Sequence, residues 1–243
     1  MILVLGDVHS RFDIVNTQVV HAEARLGAPV DAVVVLGDLG LFEPFLSRFF
    51  RKRRMRFARP LYFVEGNHED YRTLPRLVEL YSDVMTHLPR GSIREIAGIS
   101  CMAIGGASYM DALATPLGSV ISPADIERCL AHPPGSAIAV FSHDCPAGLG
   151  VPSTPGFEHF GPPGFEGGES IRAHLRPRVW LFGHHHRWFE RAVDGTRFHG
   201  LVESWLGYGL LAPDGTFETV RNQVAVPRES SLLGRIASRL GFN

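Results

Sequence analysis

The order of strand-like and helix-like segments predicts an α/β chain, α and β mixed, built as two stacked sheets with helices on their outer faces. Three observations carry it. Apolar runs alternate with helix-length segments in the first half, most of these runs stop on glycine followed by a polar residue, and paired short runs flank Asp-Gly in the second half. Runs 2–6, 31–37 and 61–66 read as strands, separated by helical segments near 13–26, 44–56 and 70–80. Residues 93–97 and 99–104 flank Gly98 as a hairpin. Ser122-Pro123 opens a helix to about 131, with serine as N-cap and proline in the first turn. Runs 136–142 and 178–183 return to the sheet. Runs 187–193 and 196–202 then flank Asp194-Gly195, and 208–212 and 216–220 flank Asp214-Gly215. These hairpins predict a second, largely antiparallel sheet.

Length and the unbroken series of elements fit one domain over residues 1–222, followed by a tail, 223–243. In the tail Leu232, Leu233, Ile236 and Leu240 share one helical face, which predicts a docking helix over 230–242; a membrane-surface or dimer helix is the competing reading. The 243 residues are 45% hydrophobic with a net charge of -1, so the chain can bury a sizeable core and carries no global field for nucleic acid or an acidic surface. No apolar stretch reaches the roughly 20 residues needed to span a bilayer. Met1-Ile2-Leu3-Val4-Leu5 lacks the charged start and cleavage site of a signal peptide. With Cys101, Cys129 and Cys145 odd in number and scattered, a reducing, cytoplasmic location is the expectation.

Five apolar runs stop on potential metal ligands: Gly6-Asp7-Val8-His9, Gly37-Asp38, Gly66-Asn67-His68, Ser142-His143 and Gly183-His184-His185-His186. Parallel strands open their C-terminal ends onto one sheet edge, where residues distant in sequence meet. Asp7, His9, Asp38, Asn67, His143, His184 and His186 form a donor set for two divalent ions, with His68 to spare and Asp38 able to bridge a pair. Imidazole with carboxylate or carbonyl oxygen suits Mn, Fe, Zn or Ni better than Ca or Mg. Each motif alone has a blander account: Gly-Asp and Asn-His as turns, the histidine run as an exposed polar tract.

In this order the motifs resemble those of the calcineurin-like metallophosphoesterase superfamily: Asp7-Val8-His9, Gly37-Asp38, Gly66-Asn67-His68-Glu69, His143 and Gly183-His184-His185-His186, over residues 1 to about 190. The resemblance implies a four-layer αββα sandwich of two stacked mixed sheets flanked by helices. It implies that Asp7, His9 and His186 hold one ion, that Asn67, His143 and His184 hold the other, and that Asp38 bridges them. His68 matches the superfamily's catalytic histidine, which protonates the leaving oxygen.

A bridging hydroxide is the expected nucleophile, since metal-bound water drops to a pKa of about 7 and a metal pair clamps both oxygens of an in-line displacement. Two ions, most readily Mn²⁺, and a phosphate ester, nucleotide or nucleic acid among its forms, are the expected partners. Phosphodiester hydrolysis leads; phosphomonoesterase and nucleotide pyrophosphatase are alternatives, and a non-catalytic metal-binding scaffold is the reading from another class. Ser142-His143-Asp144-Cys145-Pro146 is similar to the matching stretch of lariat-debranching enzymes, which commonly carry cysteine where this chain has Asp7.

Glu43, Glu69 and Asp70 are candidate orienting carboxylates, each equally a solvated loop residue. The Gly- and Pro-rich stretch 144–168 leaves His143 and carries Phe157, His159, Phe160 and Phe165; it reads as a substrate-facing lid against a plain insertion. Gly105-Gly106 is a second candidate wall or a tight turn. Arg51-Lys52-Arg53-Arg54, with Arg56 and Arg59, fits a solvated helix end better than a nucleic-acid contact. Cys145 fits packing better than chemistry.

Overall fold

A computed structural model describes residues 1–108, 110 and 113–226. The tail helix expected over 230–242 lies outside the described residues. Two six-stranded mixed sheets form the centre. The first runs β12 (Phe217–Arg221), β11 (Gly207–Leu211), β1 (Ile2–Leu5), β2 (Ala32–Leu36), β3 (Leu61–Val64), β4 (Thr86–His87). The second runs β5 (Ile93–Ile96), β6 (Ile99–Ile104), β7 (Ala139–Ser142), β8 (Val179–Phe182), β10 (Thr196–Gly200), β9 (Phe189–Val193).

Period-two alternation explains the layering. In β1, Leu3 and Leu5 face outward onto α1 (Phe12–Leu26), α2 (Glu43–Leu46) and α3 (Leu74–Leu80), where Phe12, Val15, Val19, Phe45, Leu46 and Leu77 pack. Ile2 and Val4 face inward with Val34, Leu36 and Val64, against Ala103, Phe141 and Leu181 of the second sheet. The other face of that sheet presents Met102, Val140, Trp180 and Phe182 to Cys129 of α4 (Pro123–Leu130) and to Ile171 and Leu175 of α5 (Gly168–Leu175). Helix, sheet, sheet and helix follow in four layers.

The predicted second sheet is corrected on two points. It is mixed rather than largely antiparallel, because β6–β7, β7–β8 and β8–β10 pair in parallel and only its edge pairs, β5–β6 and β9–β10, are antiparallel. The β11–β12 hairpin forms, but it joins the first sheet beside β1, with Leu3 opposite Leu210. A turn signal specifies a local pair and leaves open which free edge the pair will cover.

Several elements start or stop elsewhere than expected. The segment near 44–56 is α2 continued by a π-helical turn, Ser47–Lys52, and α3 begins at Leu74 rather than 70. The α4 start is as read, with a reciprocal capping box between Ser122 and Asp125. Stretch 144–168 is tied down at its base: Phe165 N–H donates to the Cys145 carbonyl at 2.9 Å and Ala147 N–H to the Phe165 carbonyl at 2.9 Å. Phe165, Leu149 and Val151 are buried against Trp180 and Phe182, so Phe165 is core and not a lid residue. Only the middle, around Phe157 and the 3-10 turn Glu158–Phe160, projects outward. Phe165→Ala is expected to lower unfolding stability by about 3–5 kcal/mol, as aromatic truncations in cores do. Chemical denaturation reads it; a change in substrate KM at unaltered stability would return Phe165 to the lid.

Candidate metal centre

Every turn with a candidate ligand leaves the C-terminal end of a strand with a parallel neighbour: Asp7 after β1, Asp38 after β2, Asn67 after β3, His143 after β7 and His184 after β8. The first three strands are contiguous in one sheet and the last two in the other, so the turns meet across the gap between sheets. His9, Asp38, His184 and His186 all sit at left-handed backbone angles, with φ of 49, 48, 62 and 50°. Such positions cost about 1–3 kcal/mol each and cluster where side-chain aim matters more than relaxation.

Two glycines make the approach feasible. A Cβ on Gly37, whose φ is +90°, would lie 2.1 Å from His143 Nδ1, and one on Gly66 would lie 2.0 Å from Asp38 Oδ1. Gly37→Ala is therefore expected to destabilise the fold by at least about 1–3 kcal/mol from backbone strain alone and to displace His143 as a donor. Thermal melts with metal analysis check both parts.

The seven predicted ligands come together in two overlapping groups. In one, Asp7 Oδ1 is 3.4 Å from His186 Nε2, and the rings of His9 and His186 lie 5.6 Å apart between centroids. In the other, His143 Nε2 is 2.9 Å from Asn67 Oδ1, and the His143 and His184 rings lie 4.8 Å apart. Asp38 stands between them, with Oδ1 3.5 Å from His143 Nε2 and Oδ2 4.0 Å from His9 Nε2. His68 stands beside this set: its N–H donates to Asp38 Oδ1 at 2.8 Å, and its ring lies 5.7 Å from that of His9. Asp7, Asp38, Asn67 and His143 are buried, while the His186 side chain is 42% exposed and marks the open side.

The donors fit a divalent cation. His143 Nδ1 lies 2.8 Å from the Leu36 carbonyl, which can only accept, so Nδ1–H donates there and Nε2 is the nitrogen left for a cation. Nε2 points at two acceptors, Asn67 Oδ1 and Asp38 Oδ1. The Asn67 oxygen is held there because Nδ2 donates to the Ala114 carbonyl at 2.7 Å. Asp7 Oδ1 is buried without a well-aligned hydrogen bond. Oxygen acceptors and imidazole nitrogens converging in a buried space suit a cation. One donor atom from each of Asp7, His9 and His186, and one from each of Asp7, Asp38 and His143, lie within 4.8 Å of one another.

Electrostatics follow the same geometry. Burial would raise Asp7, yet contact with His186 and the nearby His143 and His9 hold it well below the usual carboxylate range. Burial lowers His9 to about 4 and His184 to about 3, leaving both neutral and able to donate a lone pair at pH 7. Burial would also lower His186, but Asp7 and Glu203 outweigh it and lift the ring to about 9. That histidine takes up charge because two carboxylates face it.

Of the candidate orienting carboxylates, Glu69 is buried and accepts from the Gly40 N–H at 3.1 Å, bracing the turn after Asp38. Burial, then the charge of Asp38, raises its pKa well above the usual value. Glu43 instead approaches Tyr81 and Arg51, and Asp70 accepts from Thr73 Oγ1 at 2.7 Å at the start of α3, so neither orients a ligand. Gly105-Gly106 follows β6 and packs against Glu65 and Ser119. In the basic cluster, Arg53 pairs with Asp13, Arg59 with Glu23 and Arg51 with Glu43. Cys145 is buried in the outer core of the second sheet.

The segment after β10 escaped sequence reasoning. Glu203 Oε1 lies 3.4 Å from His186 Nδ1, Ser204 N–H donates to the Asp7 carbonyl at 2.9 Å, and Trp205 sits 6.2 Å from the His9 ring with the Arg11 guanidinium stacked 4.2 Å above its indole. A signal existed, since run 196–202 also ends on a carboxylate, Glu203.

Comparison with known proteins places this geometry. The sequence model of the family described as calcineurin-like phosphoesterase matches residues 1–188. One solved structure is 15% identical with a TM-score of 0.63, covering 90% of this chain and 98% of its own. A protein of Thermus thermophilus is 14% identical with a TM-score of 0.59, covering 90% of this chain and 97% of its own. At these identities the likeness is one of fold. A search of curated proteins finds no match.

Proposed function

Because the chain belongs to the calcineurin-like phosphoesterase family, we propose that it is a two-metal phosphodiesterase. The observation that carries the two-metal reading is Asp38, whose oxygens face separate histidine groups, Oδ1 toward His143 and Oδ2 toward His9. Asp7, His9 and His186 would hold one ion, Asn67, His143 and His184 the other, with Asp38 shared. The mixed nitrogen and oxygen donors favour Mn²⁺, with Fe, Zn or Ni as alternatives. Bound there, divalent ions supply Lewis-acid charge to a phosphoryl group and bring the pKa of water down to about 7.

The chain's own residues supply the rest. His68, anchored through its backbone on Asp38 and set beside His9, holds a proton for the departing alkoxide. His143 is aimed by the Leu36 carbonyl and His186 by Glu203. Glu203 also places a carboxylate on the open side of the centre, which repels a dianionic monoester more than a monoanionic diester. A second reading, nucleotide pyrophosphatase, is favoured by Arg11 on Trp205, a cation beside the same opening for a further phosphate. Among the described residues no helix is long and apolar enough to cross a membrane.

Metal analysis with Mn²⁺-dependent hydrolysis of bis-p-nitrophenyl phosphate and p-nitrophenyl phosphate tests the reading. Two ions per chain are expected, with the diester cut faster than the monoester, activity abolished by chelation and restored by Mn²⁺. Faster monoester cleavage would reverse the preference. Folded, metal-loaded protein that turns over neither compound would leave a metal-binding scaffold.

A further inference from the structure

His185, the residue between two proposed ligands, does not face the centre. Its Nε2 lies 2.9 Å from Asp144 Oδ1, and its ring is only 9% exposed. Asp144 is fully buried and directly follows His143. Its two oxygens are surrounded by donors: Ser108 N–H and Ser108 Oγ–H to Oδ2, both at 2.9 Å, and Cys145 N–H at 2.7 Å and His185 to Oδ1. A carboxylate only accepts, so the His185 nitrogen facing it is the donor. Burial alone would raise Asp144, but the bond from His185 and the charge of the neighbouring histidines hold it below the usual carboxylate range.

We propose that His185 and Asp144 form a positioning tether that fixes the turn carrying His184 and His186 against the turn carrying His143, so that the donors of the Asn67, His143 and His184 group are set before an ion arrives. The turn needs such a restraint, because His184 and His186 both sit at left-handed backbone angles on either side of His185. Its other attachments lie on its flanks: Gly183 N–H donates to the His143 carbonyl at 3.0 Å, and His184 N–H to Asp7 Oδ2 at 3.2 Å. The tether holds the middle. His184 and His143 then stay in ring contact, 4.8 Å apart between centroids.

The same three neighbours, Asp144, Cys145 and His185, also offer donor atoms within 4.8 Å of one another, as a third metal site would. The hydrogen bonds argue against that use. Both Asp144 oxygens are committed to N–H and O–H donors, and burial pushes the Cys145 thiol up, away from the thiolate a metal takes.

The inference rests on the two-metal reading and is tested on the full chain by Mn²⁺ titration calorimetry and metal analysis after gel filtration, beside thermal melts of the metal-free proteins. His185→Leu keeps bulk and removes the donor; His185→Gln keeps an amide donor near the position of Nε2. Expected is the Asn67, His143 and His184 site weakened about 10–100-fold in His185→Leu, the usual range when a partner behind the ligands is lost, the His186 site weakened less because Asp7 and Glu203 also face that ring, and recovery in His185→Gln. If His185→Leu does not fold, His185→Asn, whose amide stops short of Asp144, replaces it with the same expectation. Unchanged affinity at both sites in the donor-less variant, or equal weakening in the glutamine variant, overturns the tether. Wild-type protein that binds fewer than two ions overturns the two-metal reading and the tether with it.

Discussion

Replacing His68 with alanine is expected to lower turnover about 10²–10⁴-fold, the range for loss of a positioned proton donor, while both ions stay bound. The separation is possible because His68 meets the cage through its backbone. Its N–H bonds Asp38 Oδ1 at 2.8 Å, and this contact survives truncation of the ring. The ring lies in edge contact with His9, and the proton proposed for it is not a bond to an ion. The loss should shrink for substrates with acidic leaving groups such as p-nitrophenolate, which depart without protonation, and be full for alkyl esters. Metal analysis with kinetics on both ester types is the check; an alanine variant that loses an ion would make His68 a ligand.

Asp38→Asn should be more damaging to binding than any change behind the ligands. Loss of a supporting partner weakens metal affinity about 10–100-fold, and removing a shared charged ligand is expected to exceed that. Asparagine is the informative substitution. It tolerates the left-handed backbone that Asp38 adopts at φ 48° and keeps an oxygen for the His68 N–H, so the turn persists and the charge is what changes. Calorimetric titration should then show both sites weakened, since one carboxylate oxygen faces each histidine group. Weakening of one site alone would mean that Asp38 serves a single ion.

The turns that carry the candidate ligands were legible in the sequence because their cause is local. A buried strand needs an apolar run, and a sharp exit that aims a side chain beside another ligand needs glycine, as the 2.1 Å approach at Gly37 illustrates. What escaped depends on the third dimension. The hairpin at residues 207–221 is visible as a hairpin, but its place beside β1 is decided by which sheet edge is free. Phe165 reads as a loop aromatic and is core, because hydrogen bonds to Cys145 and Ala147 return the stretch to the sheet. Asp144 and His185 each look like spacers, and their hydrogen bond joins residues far apart in sequence. Glu203 lies beyond the last motif, where nothing in the residues alone indicates that β10 runs parallel to β8 and ends at the same opening.

The donors are divided between the two sheets, Asp7, Asp38 and Asn67 on one and His143 and His184 on the other, so neither sheet carries a finished cage. During folding the cage therefore exists only after the sheets have docked. Ions bound as proposed would enter late and stabilise the docked state over everything before it. In such a divided cage the proposed ions would act as rivets: in their absence, amide exchange should quicken first along the facing strands β1, β2, β7 and β8, before the outer helices loosen.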